Sequence, residues 1–191
     1  MSCKVLVIPE DPTYNGYVLK PLVSRILEDC GKGNARVEVL TNPKVSGFEH
    51  ACGQMPRIVE AYAHFDLLLF LPDADGHDRS DSFRRLESEA AGQRVTLICC
   101  AAIEEVEVWL LAGHLGKLPR SWSGVRADTS VKENVFEPFL SRFGDPRRAS
   151  GGRDLLMKET LTTIRVSWSD VPNWRNSGTG SALPSPSPVN P

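Results

Sequence analysis

The sequence lacks the features that mark membrane proteins and general nucleic-acid binders. No apolar run approaches the roughly 20 residues that a membrane helix needs. The net charge is −2, so no overall positive field would attract DNA or RNA. We therefore expect no membrane contact, and nucleic acid could be bound only through a local basic patch.

The five cysteines fit neither a zinc-ligand spacing nor a disulfide framework. Their number is odd, Cys99 and Cys100 are adjacent, and no signal-like segment opens the chain. The chain also has no GxxxxGK[ST] loop, and no spacing indicates a Ser-His-Asp or Cys-His nucleophile. We expect a protein of the reducing cytoplasm whose small thiols are mostly buried.

What the sequence does have is an alternation of strand-like and helix-like segments. Short runs rich in Val, Ile and Leu are typical of strands covered on both faces. The sequence therefore predicts an α/β fold, with a four-stranded, mostly parallel, Rossmann-like sheet flanked by helices. The predicted strands are residues 4–9, 35–40, 66–72 and 94–101, and the predicted helices are residues 15–33, 48–65, 80–91 and 103–116.

The alternation stops after the fourth helix, and the chain then divides. Residues 1–116 form the predicted α/β core, and residues 117–170 a helical C-terminal extension packed on that core. Within the extension, helices are predicted over residues 130–144 and 151–164. Residues 171–191 are rich in Pro, Ser and Gly, so a disordered tail is expected there.

Local signals place the helix boundaries. Pro21 lacks an N–H, so the first helix should begin nearer residue 20 than residue 15. Pro56 predicts a break or a new start in the second helix. Ser80 or Asp81 is the predicted N-cap of the third.

Acidic residues follow two of the predicted strands. Glu10 and Asp11 end the first strand, and Asp73 and Asp75 end the third. In the common 2-1-3-4 strand order these two strands are neighbours, and their carboxyl ends form the crevice where such sheets bind ligands. Carboxylates held close together repel unless a cation neutralises them, and Mg²⁺ or Mn²⁺ prefers oxygen ligands. The sequence therefore predicts a divalent-metal site there.

The alternative for "PDADGHD" is an ordinary turn, because Asp and Gly are common after strands and Asp caps helices. A calcium-binding EF-hand loop is disfavoured because a strand precedes the stretch and the acid at its twelfth position is missing.

Glu105 and Glu107 are candidates for a second metal position. Within the helix predicted over residues 103–116, residues two apart do not share a face, whereas Glu104 and Glu107 do. The alternative is a solvated acidic face on an amphipathic helix. Trp109 is expected to be a core residue rather than a platform for stacking bases.

Several basic residues are candidates for contact with phosphate. Arg79 begins the helix that follows the acidic stretch, and Arg147, Arg148 and Arg153 lie near glycines in a predicted loop. Lys158 could project towards the site from the last helix. The alternative for each is a solvated surface charge.

These motifs resemble the Toprim domain of topoisomerases, bacterial primases, OLD-family nucleases and small RloB-like proteins of prokaryotic defence and mobile elements. The resemblance covers roughly residues 3–116: Glu10 matches the glutamate that closes the first strand, and Asp73 and Asp75 match the Asp-x-Asp that closes the third. The segment "EVEVWLLAG" resembles the E-x-E-x-W-L-L helix of the RloB-like group. Its matching residues are Glu105, Glu107, Trp109, Leu110 and Leu111. Asp11 and Pro12 follow Glu10 where Toprim domains usually have glycine.

The resemblance implies Mg²⁺- or Mn²⁺-dependent cleavage of phosphodiester bonds in nucleic acid, DNA before RNA. Asp73 and Asp75 would hold metal, and Glu10 would bind metal or act as general acid and base. The alternative is a non-catalytic Toprim-like subunit that binds nucleic acid or a partner protein, because OLD-family relatives commonly act beside an ATPase. A receiver-like phosphoryl acceptor is disfavoured, because the fourth predicted strand ends in "CCAA" without the Ser or Thr that receivers need.

Overall fold

The structure is a computed structural model that describes residues 2–163. It is an α/β fold built on one four-stranded sheet in which every strand pair is parallel. The strands are β1 (Lys4–Ile8), β2 (Arg36–Val39), β3 (Leu67–Phe70) and β4 (Leu97–Cys99). Their order across the sheet is β2-β1-β3-β4, so the predicted fold class and the predicted order are confirmed.

Helices flank the sheet and continue beyond it. A 3₁₀ segment (Ala112–Lys117) follows the fourth α-helix directly, and a π-helical turn (Lys132–Phe136) leads into the sixth. In the described residues the α-helices are α1 (Gly16–Asp29), α2 (Phe48–Ala61), α3 (Ser80–Gly92), α4 (Glu107–Leu111), α5 (Trp122–Arg126), α6 (Glu137–Phe143) and α7 (Arg153–Thr163).

The central strands β1 and β3 are almost entirely apolar because both of their faces are covered, whereas the edge strand β2 alternates charged and apolar residues. Leu6 and Phe70 belong to a core shared with α2 and α3, whereas Val5 and Val7 point to the opposite face, where α1 packs. This alternation follows from the two-residue period of a strand. The central position of β1 and β3 brings their carboxyl ends side by side, which decides where the acids lie.

The helices that follow the fourth strand build a further apolar cluster against α1. Val18 of α1 packs there with Leu110 of α4, Phe136 of the π-helical turn and Leu156 of α7. The helix α7 therefore lies against both α1 and α4, next to the loop that follows β4. Residues 164–170 of the predicted extension and the predicted tail, residues 171–191, lie outside the described residues.

The helix boundaries predicted from Pro21 and Pro56 are both wrong. The helix α1 begins at Gly16 with Pro21 inside it, and α2 runs through Pro56 without a break. Each proline removes one intrahelical hydrogen bond. Both helices bury an apolar face against the sheet, and this burial outweighs the lost bond.

The N-terminus of α3 also differs from the prediction. Neither Ser80 nor Asp81 is the cap; instead Oδ1 of Asp78 accepts a hydrogen bond from the backbone N–H of Ser80 over 2.9 Å. Asp78 thus satisfies a donor of the first turn that no residue within the helix can satisfy. Within the described part of the chain, none of the helices combines the length and the apolarity needed to cross a bilayer.

Candidate metal centre

Three loops at the carboxyl edge of the sheet carry the acidic residues. Glu10 follows β1 by two residues, and Asp73 follows β3 by three. Asp73 also forms an isolated parallel bridge with Ala102, which extends the pairing of β3 and β4 beyond their ends. The chain after β4 then supplies Glu105 and Glu107. The loops meet because the strands that carry them are neighbours.

The compact group at this edge consists of Asp73, Glu105 and Glu107. One carboxylate oxygen from each residue lies within 4.8 Å of those of the other two. Asp73 is 4% exposed and Glu107 is 1% exposed, while Glu105 is partly buried. Oxygens at these separations can surround a single cation, so the triad could bind a metal ion.

Glu105 and Glu107 meet because the fourth helix begins later than predicted. The prediction placed both residues within a helix, where residues two apart diverge, but α4 starts only at Glu107. Glu105 therefore lies in the loop before it, in the turn that follows the left-handed residue Glu104, whose φ is 61°. The backbone N–H of Val106 donates to Oδ1 of Asp73 over 2.6 Å, and this bond holds the loop against the end of β3.

Burial and repulsion by neighbouring carboxylates favour the protonated form of Asp73 in the metal-free protein. Burial raises the pKa of Asp73 most, and the charges of Glu105, Glu10 and Glu107 raise it further, to about 8. The N–H of Val106 opposes these effects only in part. A bound cation would remove the repulsion and favour the ionised carboxylate.

Glu10 borders the triad without belonging to the compact group. Its Oε2 is buried and has no hydrogen-bond partner in the described part of the chain. Burial raises the pKa of Glu10, and the charge of Asp75 raises it further, whereas the N–H of Asp73 lowers it. An unpartnered buried oxygen indicates a missing donor or cation.

Asp75 lies at the rim of the site. It adopts a left-handed conformation with φ 50°, and Gly76 follows with φ 68°, so the chain turns outwards here. Its side chain is half exposed and lies 4.0 Å from a guanidinium nitrogen of Arg79. The structure therefore places Asp73 in the buried group of carboxylates and Asp75 outside it, although the sequence treats the two as one motif.

Two cations that the sequence did not assign to the metal site contact the triad. Nζ of Lys132 lies 3.1 Å from Oε2 of Glu105, and Nη2 of Arg153 lies 3.7 Å from Oε1 of Glu107. Burial lowers the pKa of Lys132, but the charges of Glu107 and Glu105 outweigh this effect, so the pKa is raised. Lys132 therefore stays protonated and faces the acidic group.

Arg153 is buried, 8% exposed, and its guanidinium lies 4.4 Å from the ring centre of Tyr14 and 5.0 Å from that of Phe136. The sequence grouped it with the exposed arginines of the preceding loop. In the structure it belongs to α7 and faces Glu107. The two partners are 46 positions apart in the sequence, so no local pattern indicated this contact.

The predicted phosphate-contact residues lie in different environments. Arg79 stacks on the ring of Phe48 at 3.9 Å, and its Nε is buried without a partner among the described residues. Its charge lowers the pKa of Glu10, which places it beside the acidic site. Arg79 is therefore a cation at the rim of the site, where its guanidinium nitrogens lie 4.0 Å from carboxylate oxygens of Asp75 and Glu49.

The remaining predicted contacts are occupied or exposed. Nε of Arg147 lies 2.9 Å from Asp145, and Nε of Arg148 lies 3.0 Å from Asp154. Each guanidinium is thus neutralised by an acid of its own loop or helix. Lys158 is exposed on α7.

No family model, curated protein or solved structure matches this chain. The chemistry of the site must therefore be argued from its own residues. All the candidate ligands are carboxylates, which are the donors that Mg²⁺, Mn²⁺ and Ca²⁺ prefer and that softer ions do not select. The unpartnered Oε2 atoms of Glu10 and Glu107 are both buried, so the donor set fits a hard divalent cation.

Proposed function

We propose that this protein is a divalent-metal-dependent nuclease of the Toprim type, with Mg²⁺ or Mn²⁺ held by Asp73, Glu105 and Glu107. The observation that carries the proposal is the buried approach of these three carboxylates to within 4.8 Å of one another. Burying like charges together is costly unless a cation compensates them. Phosphodiester hydrolysis is the chemistry that such acidic metal sites commonly serve.

The order of the acids along the chain supports the Toprim assignment. A glutamate follows β1 and an Asp-x-Asp follows β3, and these strands are neighbours in the sheet. Besides Asp11 and Pro12 after Glu10, the arrangement differs from the family pattern in a second respect. Asp73 has Glu105 and Glu107 as its close partners, and Asp75 lies at the rim.

The residues divide the work of hydrolysis between them. A divalent ion in the site would lower the pKa of a bound water and polarise the phosphodiester. Asp73, Glu105 and Glu107 hold the ion. Glu10, whose pKa is raised, holds or accepts a proton at its unpartnered Oε2. Arg79 binds a non-bridging phosphate oxygen at the rim.

The proposal extends to the biological setting. The substrate is nucleic acid, DNA before RNA, and the protein acts in the cytoplasm in prokaryotic defence or in the biology of mobile elements. One observation favours a second candidate, a non-catalytic subunit beside an ATPase. Because Arg147 and Arg148 are neutralised by neighbouring acids, the predicted phosphate-contact loop offers little free positive charge for binding nucleic acid alone.

The test is cleavage of DNA and RNA substrates by the purified chain with Mg²⁺ or Mn²⁺, and with EDTA instead. We expect metal-dependent cleavage that Asp73→Asn and Glu10→Gln abolish. The control is Asp81→Asn, which removes an exposed carboxylate paired with Arg84 on α3. Cleavage that survives both site variants would exclude this site. Metal binding without cleavage would favour the non-catalytic subunit.

A further inference from the structure

Lys132 places a positive charge directly beside the carboxylate triad. Its Nζ is 3.1 Å from Oε2 of Glu105. It is supplied by the π-helical turn, in which the wider spacing of the backbone is uncommon and often marks a functional position. The lysine reaches the site from the helical segment that follows the α/β core, so the core alone does not complete the acidic centre.

The formal charges of the site indicate how many divalent ions are needed to neutralise it. The site contains four carboxylates, from Glu10, Asp73, Glu105 and Glu107, and two cations, the ammonium of Lys132 and the guanidinium of Arg153. These groups together carry −2 when all are ionised. Asp75 and Arg79 at the rim cancel each other. One divalent ion therefore makes the site neutral, whereas two would leave it with a charge of +2 in a buried place.

The carboxylate oxygens are also divided between the cations. Lys132 takes Oε2 of Glu105, and Arg153 lies nearest to Oε1 of Glu107. Two-metal sites hold their ions about 3.5–4 Å apart and need carboxylate oxygens for both. With one oxygen of each glutamate already paired, fewer carboxylate oxygens remain for a second ion.

We propose that the site holds a single divalent ion and that Lys132 supplies the positive charge that a second ion provides in two-metal sites. The inference rests on the metal site of the proposed function and assigns its stoichiometry. The ammonium lies beside the ligands of the ion, so both charges can act on the same phosphodiester. Lys132 is then a residue of the metal centre contributed by the π-helical turn.

The test is a titration of the full chain with Mn²⁺ alone, followed by calorimetry and by electron paramagnetic resonance. We expect the wild-type chain to bind one equivalent and to show the spectrum of an isolated ion. Lys132→Met should admit a second equivalent and give an exchange-coupled spectrum. Lys132→Arg keeps the charge and should bind one equivalent, as should Lys44→Met, which removes an exposed lysine of the loop after β2.

The outcomes separate this inference from the proposed function. Two equivalents in the wild-type chain would overturn the inference and leave the metal site intact. One equivalent in Lys132→Met, bound more tightly than in wild type, would show that the lysine only competes for the position of the ion. No binding by the wild-type chain would remove the metal site and the inference together. Circular dichroism checks the fold, and Lys132→Gln replaces Lys132→Met if the latter unfolds.

Discussion

The backbone N–H of Val106 donates a hydrogen bond to Oδ1 of Asp73 over 2.6 Å, across 33 positions of sequence. The bond ties the end of β3 to the first turn of α4, and it fixes the two glutamates on either side of Val106 around the aspartate. One hydrogen bond thus joins the acid that follows a central strand to the acids that follow an edge strand. The candidate metal centre depends on this junction.

The first prediction concerns the pH dependence of stability without metal. The pKa of Asp73 is about 8 in the folded protein against an ordinary 3.8, so the folded state binds the extra proton between these values. The stability that this proton contributes is complete below pH 4 and is lost as the pH rises towards 8. Each pKa unit corresponds to about 1.4 kcal/mol. We expect the Tm in EDTA to fall over this range.

The variant Asp73→Asn should remove most of that fall and raise the Tm at pH 8, because a neutral amide can still accept the bond from Val106. Thermal melts of both proteins in EDTA from pH 4 to 9 measure the effect. Asp81→Asn, which alters an exposed carboxylate, should reproduce the wild-type profile. Parallel profiles for wild type and Asp73→Asn would contradict the assignment of the raised pKa.

The buried strands and their order were predictable, because short uninterrupted apolar runs are typical of strands covered on both faces. The expected strand order also predicted that the carboxyl ends of β1 and β3 lie side by side. The convergence of Glu105 and Glu107 was not predictable from helical periodicity. It depends on where α4 begins, and that boundary is set by the bond from Val106 to Asp73 rather than by a local capping residue.

The cations of the site were still less accessible to sequence reasoning. Lys132 and Arg153 reach the acids from segments that follow the α/β core, and their partners lie 27 and 46 positions earlier. A basic residue near glycines is typical of a solvated loop, and Arg147 and Arg148 fit that description. Arg153 differs only because α7 begins there and turns it towards Glu107.

The second prediction concerns the buried pair of Arg153 and Glu107. Arg153→Met leaves the carboxylate of Glu107 buried without its counter-charge, and such a change typically costs about 3–5 kcal/mol. Glu107→Gln in the same chain should recover part of the loss, because no unpaired charge then remains. Urea denaturation of the wild type, both single variants and the double variant measures the coupling.

Arg147→Met provides the comparison for this cycle. Arg147 lies six positions before Arg153, and it is an exposed arginine that pairs with Asp145. Its loss should leave the denaturation midpoint unchanged. If Arg153→Met and Arg147→Met behaved alike, or if the losses of the two single variants simply added in the double variant, the pair would not be the buried counter-charge that the structure indicates.

The third prediction concerns the close approach of α7 to the 3₁₀ segment. A Cβ added at Gly113 would lie 2.4 Å from the Cα of Thr160, a backbone atom that cannot move aside alone. Thr160 also donates from Oγ1 to the carbonyl of Leu110 over 2.7 Å. Gly113→Ala should therefore displace α7, with a loss of about 1–3 kcal/mol of stability.

Because α7 carries Arg153, whose positive charge lies 3.7 Å from Glu107, displacing α7 should also strengthen Mn²⁺ binding, although the substitution alters no charged residue. Gly53→Ala is the matched control: it lies within α2, and an added Cβ meets no atom within 4 Å. Alanine is favoured over glycine inside a helix by about 0.5–1 kcal/mol, so the control should gain stability and keep its affinity for Mn²⁺. Equal metal affinity in the two variants would show that metal binding at the acidic centre does not depend on the packing position of α7.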